Sequence, residues 1–423
     1  MKTASKHLIN TLGPGMLLAA AAVGGSHLVL STRGGAMHGM AFLLFIVLAM
    51  AVKYPAYRFA PYYTNVTGVS MLEGFRRRGL WALILFAISA SGTLIIGLAG
   101  VTLICASIAK TTLNLEAGAV VISGWVFIIT AVLLIIGRYH LLDLLMKVLM
   151  VVLFLLTILA TALTIPLIDW SVSGNLFISN YDQETISLLA ALFGWMPAPL
   201  EVAIIYTLWA QAKIHDTGYK PNPRESSIDF HIGYYSTLIL AICFMLLGTG
   251  VMHGSGQVFD KSSGGFAAQV ISLYTQALGD WTRPLIAASA LSVMYSTVIT
   301  ALDGHSRILA TLIMRFKGPE EVSIEREFHS RSVLYILSML VLGGGAYSMI
   351  LFLLKSFTVF VDIAATMSFL SMPVIGFLIH RTLFSNDMPA QARLKPAMRF
   401  YSIVCIVLMA AFAAGYLYLV VNK

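Results

Sequence analysis

Apolar residues fill this chain in long runs, separated by short polar stretches that collect Lys, Arg and Gly. A helix crosses a bilayer with about 20 mostly apolar residues. Measured against that length, the pattern predicts eleven membrane helices, near 11–31, 36–57, 80–109, 117–137, 143–167, 186–210, 232–253, 284–306, 331–353, 356–380 and 398–421. No long polar insertion separates them, so residues 1–423 read as a single transmembrane domain. The opening stretch, Lys2 and Lys6 followed by an apolar run, imitates a secretory signal, but it continues through a glycine-rich break into further spans.

Composition supports the same class. Hydrophobic residues make up 58% of the chain and charged residues 11%, with a mean hydropathy of +0.86. A water-facing surface usually requires about 25% charged residues. The net charge of +8 changes the picture only through its placement. With the N-terminus in the cytoplasm, the loops on that side take Lys53, Arg58, Arg76, Arg77, Arg78, Lys213, Arg224, Arg307, Arg315 and others. Only Arg33, Lys110, Lys261, Arg283, Lys355 and Lys423, of 27 basic residues, fall outside. Basic residues in short loops mark the cytoplasmic side. The expectation is a multi-pass protein of the plasma (bacterial inner) membrane, N-terminus cytoplasmic and C-terminus outside. The basic excess then needs no nucleic acid partner. Cys105, Cys243 and Cys405 lie far apart in apolar runs and form no CxxC pair or disulfide framework.

Two spans carry helix breakers in their middles. Span 1 runs Gly13-Pro14-Gly15 and then Val23-Gly24-Gly25-Ser26-His27. Span 6 reads Gly194-Trp195-Met196-Pro197-Ala198-Pro199-Leu200-Glu201. Glycine pairs loosen a helix, and two prolines two residues apart remove amide donors. Irregular backbone at membrane depth is tolerated only inside protein or around a cavity. Spans 1 and 6 stand five helices apart, as a five-plus-five inverted repeat requires, with substrate held where the corresponding helices unwind. The repeats are expected over about 11–167 and 186–380, with an added helix over 398–421.

At these residues the chain resembles the Nramp family of divalent-metal transporters. That family begins with Gly-Pro-Gly, carries Asp-Pro-Gly-Asn in span 1 and Met-Pro-His in span 6, and has a Ser-Thr-Ile-Thr-Gly-Thr-like run in span 8. Here Gly13-Pro14-Gly15 precedes Gly24-Gly25-Ser26-His27, Met196-Pro197-Ala198 takes the span 6 position, and Ser296-Thr297-Val298-Ile299-Thr300-Ala301 the span 8 position. The resemblance implies an all-α, leucine-transporter-like (APC-type) fold and alternating access. In the family the span 1 Asp and Asn and the span 6 Met bind metal, with the span 6 His handling protons nearby. Here those positions are Gly24, His27 and Met196, with Ala198 for the His. Span 3, acidic in the family, has no Asp or Glu between Glu73 and Glu116. Metal selectivity and ion coupling therefore do not carry over.

The altered site leaves two readings. In the first, His27, Met196 and Glu201 supply nitrogen, sulfur and oxygen ligands for a transported Mn²⁺, Fe²⁺ or similar ion. In the second, backbone amides at Gly24, Gly25 and Ser26 receive a carboxylate, as helix N-termini do, and Glu201 faces an amine. The cargo would then be an amino acid or carboxylate. His27, Glu201, Asp303 and His305 are candidates for coupling to H⁺ or Na⁺; in alternative roles His27 is a hydrogen-bonded packing residue, Glu201 neutralises a neighbouring Lys or Arg, and Asp303 and His305 pair with Arg307. Asp362 and His253 are weaker candidates, and Tyr54-Pro55 kinks span 2. No cofactor is expected. An HExxH helix and a GxxxxGK[ST] loop are both missing, so nothing points to an enzyme or an ATP-driven pump.

Overall fold

Inside a bilayer every backbone N–H and C=O needs an internal partner, and the apolar runs meet that demand by coiling into helices. The computed structural model describes residues 13–136, 139–178, 180–254, 260, 263–318, 333–353 and 357–422. Lys2, Lys6, Lys261, Lys355 and Lys423 lie outside the described residues. Among the described residues nine helices are long and apolar enough to cross a membrane. Span 5, Tyr139–Thr164, and the broken span 6 account for the difference from eleven.

Span 6 fails the length criterion for a physical reason. It consists of Gln183–Trp195 and Val202–Thr217, with non-helical backbone between them. Span 1 is likewise Pro14–Ala22, a break at Val23 and Gly24, and a second half that starts as a π-helical turn, Gly25–Ser31, and continues through Thr32–His38. Pro55 and Pro61 do not break span 2, which runs unbroken as Ala41–Thr67.

Several helices extend past the predicted ends. Span 2 continues ten residues beyond 57, span 7 begins at Pro223, and span 8 reaches Lys317. Basic residues assigned to loops therefore sit on helices. Lys53 is completely buried, and Arg315 is buried against Glu73, 3.3 Å away. A further helix, Ser263–Leu278, was not predicted; its buried face includes Val270, Leu273 and Tyr274.

Span 1 packs on spans 7 and 8, and the first half of span 6 packs on span 10, Phe357–Leu383. The Gly-Pro-Gly start has a structural cause. The buried carboxylate of Asp229 on span 7 accepts from the amides of Gly13 (3.0 Å) and Gly15 (2.7 Å) and from the Tyr206 hydroxyl (2.9 Å). It caps donors that a helix start otherwise leaves unsatisfied. A Cβ on Gly15 would overlap the Asp229 carbonyl, and one on Gly233 the Gly15 carbonyl, so spans 1 and 7 meet backbone to backbone.

Candidate functional site

The breaks in spans 1 and 6 adjoin one internal cavity of ≈ 50 Å³, closed further by spans 3 and 8. A water needs about 10–15 Å³ by this measure, so the space suits a handful of heavy atoms. Its polar lining is the hydroxyls of Ser26, Thr93, Thr297 and Thr300, the rings of Trp195 and Trp209, and His305. No Asp, Glu, Cys or Met is among the lining residues.

Each break is held by side chains from neighbouring spans. The Thr297 hydroxyl of span 8 lies within hydrogen-bond distance of the carbonyls of Ala20 (3.2 Å) and Val23 (3.3 Å), which the interruption of span 1 leaves exposed. Its Oγ1 would stand 2.8 Å from a Cβ on Gly24, which accounts for a glycine there. At span 6, Lys53 donates to the carbonyls of Gly194 (2.8 Å) and Ala198 (3.0 Å), and Tyr57 donates to those of Ala198 (2.9 Å) and Pro199 (2.7 Å). A helix C-terminus carries partial negative charge, so an ammonium is favoured there.

Ser26 joins the two breaks. Its hydroxyl lies 3.0 Å from the Ala22 carbonyl, 3.1 Å from the Pro197 carbonyl and 2.7 Å from Nδ1 of His27. His27 itself turns away from the cavity toward span 7. A carbonyl only accepts, so the 2.9 Å contact to Thr237 O puts the ring proton on Nε2 and leaves the Nδ1 lone pair to Ser26. His27 thus fixes Ser26 and has no nitrogen free for a metal. His305 has the opposite arrangement. Its Nδ1 donates to the Leu94 carbonyl (3.0 Å) in the π-helical turn Thr93–Gly97 of span 3. Its Nε2 has no hydrogen-bond partner among the described residues. Nor has the indole N–H of the buried Trp195.

The proposed metal ligands do not converge on the cavity. His27 is engaged as described; Met196 is fully buried and not part of the lining; Glu201 is fully buried, with neither carboxylate oxygen hydrogen-bonded. No group of three His, Cys, Asp or Glu among the described residues is arranged to hold a metal ion. Gly25, Ser26 and Ala198 do line the cavity, and Gly24 abuts it through Thr297. Asp303 is occupied by Arg307 (2.8 Å), the Tyr335 hydroxyl (2.7 Å) and the Trp209 indole (3.0 Å), so it positions a cavity tryptophan. Asp362 holds Arg33 through two 3.0 Å contacts, and Glu184 binds the same guanidinium at 3.0 Å. His253 reaches the Ala36 carbonyl at 2.9 Å, and Tyr54 contacts His231 at 2.9 Å. Sequence reasoning missed Lys53, Tyr57, Trp195 and Trp209 as site residues. For Lys53 the signal was there: an ionisable residue within an apolar run is functional by default.

This arrangement, two interrupted helices around a central cavity in an all-helical bundle, is the leucine-transporter fold. A crystal structure of a manganese transporter from Eremococcus coleocola matches with a TM-score of 0.70 and 15% identity, covering 96% of this chain and 86% of that one. The transporter MhsT in complex with L-phenylalanine matches with a TM-score of 0.60 and 15% identity, over 95% and 98% of the two chains. At these identities the likeness is one of fold. No family model matches the chain. The chain belongs to the same family as the uncharacterized protein PM0681 of Pasteurella multocida (strain Pm70), to which it is 32% identical over 407 residues, 95% of this chain and 90% of that protein.

Proposed function

We propose that the protein is a secondary transporter working by alternating access, and that its cargo is a small carboxylate-bearing or zwitterionic organic solute. The observation that carries this reading is the cavity lining: hydroxyls, indoles and one histidine, without an acidic or sulfur side chain. A divalent cation there would lose its water without gaining an anionic ligand, which is costly in a low-dielectric interior. A carboxylate gains instead. The helix that restarts at Gly25 leaves its first amides without intrahelical acceptors, and its dipole favours negative charge. Trp195 lines the cavity, and its buried indole N–H has no acceptor among the described residues.

A divalent-metal reading is supported by the Nramp-like motif order, by the likeness to a manganese transporter, and by the free Nε2 of His305, whose tautomer is fixed by Leu94 as metal-binding histidines are fixed by second partners. One measurement separates them. Thermal melts of the purified protein with Mn²⁺, Mg²⁺ and a panel of small amino acids and carboxylates are expected to show stabilisation by an organic solute, near 2.7 kcal/mol at about 100 Kd. Stabilisation by Mn²⁺ alone overturns the organic cargo.

A further inference from the structure

Five acids are buried or nearly buried at membrane depth or its edges among the described residues, and four have partners. Asp229 caps span 1, Asp303 binds Arg307, Glu73 binds Arg315 and Arg77, and Asp362 binds Arg33. Glu201 is the exception. It is fully buried, immediately after the span 6 break, and both carboxylate oxygens lack hydrogen-bond partners. A lone ionised carboxylate in such a place is costly; it either finds a cation or takes up a proton.

A cation is held at the same break. Lys53 and Tyr57 of span 2 donate to the Ala198 carbonyl, and Tyr57 also to that of Pro199, just before Glu201 in the chain. From span 8, Asp303 is committed to Arg307, and His305 faces the adjoining cavity with its Nδ1 on Leu94; Glu73 of Met71–Arg78 is committed to Arg315. Lys53 spends two hydrogen bonds on the carbonyls of Gly194 and Ala198, and an ammonium has three to give. Ala198, held by Lys53, also lines the cavity.

We infer that Glu201 is a proton-binding site, and that Lys53 is a tethered cation at the span 6 break whose hold on Ala198 is linked to whether Glu201 carries the proton. The step is the addition of one proton from water to a Glu201 oxygen, with no other bond formed or broken. Charged, Glu201 competes with the two carbonyls for the Lys53 ammonium; neutral, it releases the ammonium to them. Lys53 lies where exposed carbonyls would otherwise invite a free cation, so the pair responds to pH. The purpose of this switch rests on the transporter reading, but its test does not need a cargo.

Infrared difference spectra of the purified full-length protein, stepped through pH, are expected to contain the carbonyl band of a protonated carboxylic acid that is lost on raising pH. Glu201→Gln deletes that band, whereas Asp280→Asn, at an exposed turn, keeps it. A band unchanged in Glu201→Gln overturns the proposal, as does a wild-type spectrum without such a band at any pH. The double variant Lys53→Met with Glu201→Gln is expected to melt closer to wild type than Lys53→Met alone; equal melting contradicts the link. If the band behaves as expected while no solute or metal shifts the melting temperature, the transporter reading fails and the proton site stands.

Discussion

Replacing Lys53 by Met is expected to destabilise the protein by about 3–5 kcal/mol, since two buried carbonyls lose a charged donor worth about 1.5–3 kcal/mol each. Met keeps most of the apolar stem, so the loss reports the ammonium. Without it the Gly194 carbonyl has no donor from span 2, and the Ala198 carbonyl keeps Tyr57. Chemical or thermal unfolding in micelles, wild type against variant, measures the difference. A change below about 1 kcal/mol, typical of an exposed pair, would mean that Lys53 is not the group holding the break.

The second large effect falls on the cavity. A Cβ on Gly25 would come within 2.6 Å of Trp195 Cζ3 and 3.1 Å of Ile104 Cδ1. Gly25→Val adds two further methyl groups in a space of ≈ 50 Å³. Overpacking of this kind costs about 1–3 kcal/mol, and if it falls on the bound state it lowers affinity by up to about two powers of ten. The variant is therefore expected to lose solute-induced stabilisation while still purifying as a folded protein. Full retention of that stabilisation places the cargo elsewhere.

The fold was largely legible because its main devices are written in residue type. Gly24-Gly25 and Pro197-Ala198-Pro199 mark the interruptions, since neither a glycine pair nor closely spaced prolines sustain a helix. The inventory of side chains at the site was less legible. His27 stands at the break as expected, but a one-dimensional pattern does not show which way a ring points. A π-helical start turns His27 to span 7, and Ser26 faces the cavity in its place. Lys53 was counted with the loop charges because it stands four residues before the predicted span end at 57, whereas span 2 continues to Thr67 and places it well inside the helix. Glu201 was expected at the site as a ligand or coupling group; it is buried just after the break and does not reach the cavity lining. Ser263–Leu278 escaped notice because its mixed polarity resembles a loop more than a span.

In the proposed transport cycle the cargo sits between the two interrupted helices. Thr300 lines that space from span 8, and all three native cysteines are buried, so Thr300→Cys offers one engineered thiol against a quiet background. The most direct measurement is the rate at which a small water-soluble thiol reagent modifies Thr300→Cys, with and without the solute that stabilises the protein. Slow modification that the solute blocks is the predicted result. Modification at the same rate in saturating solute would contradict a cargo held at this place.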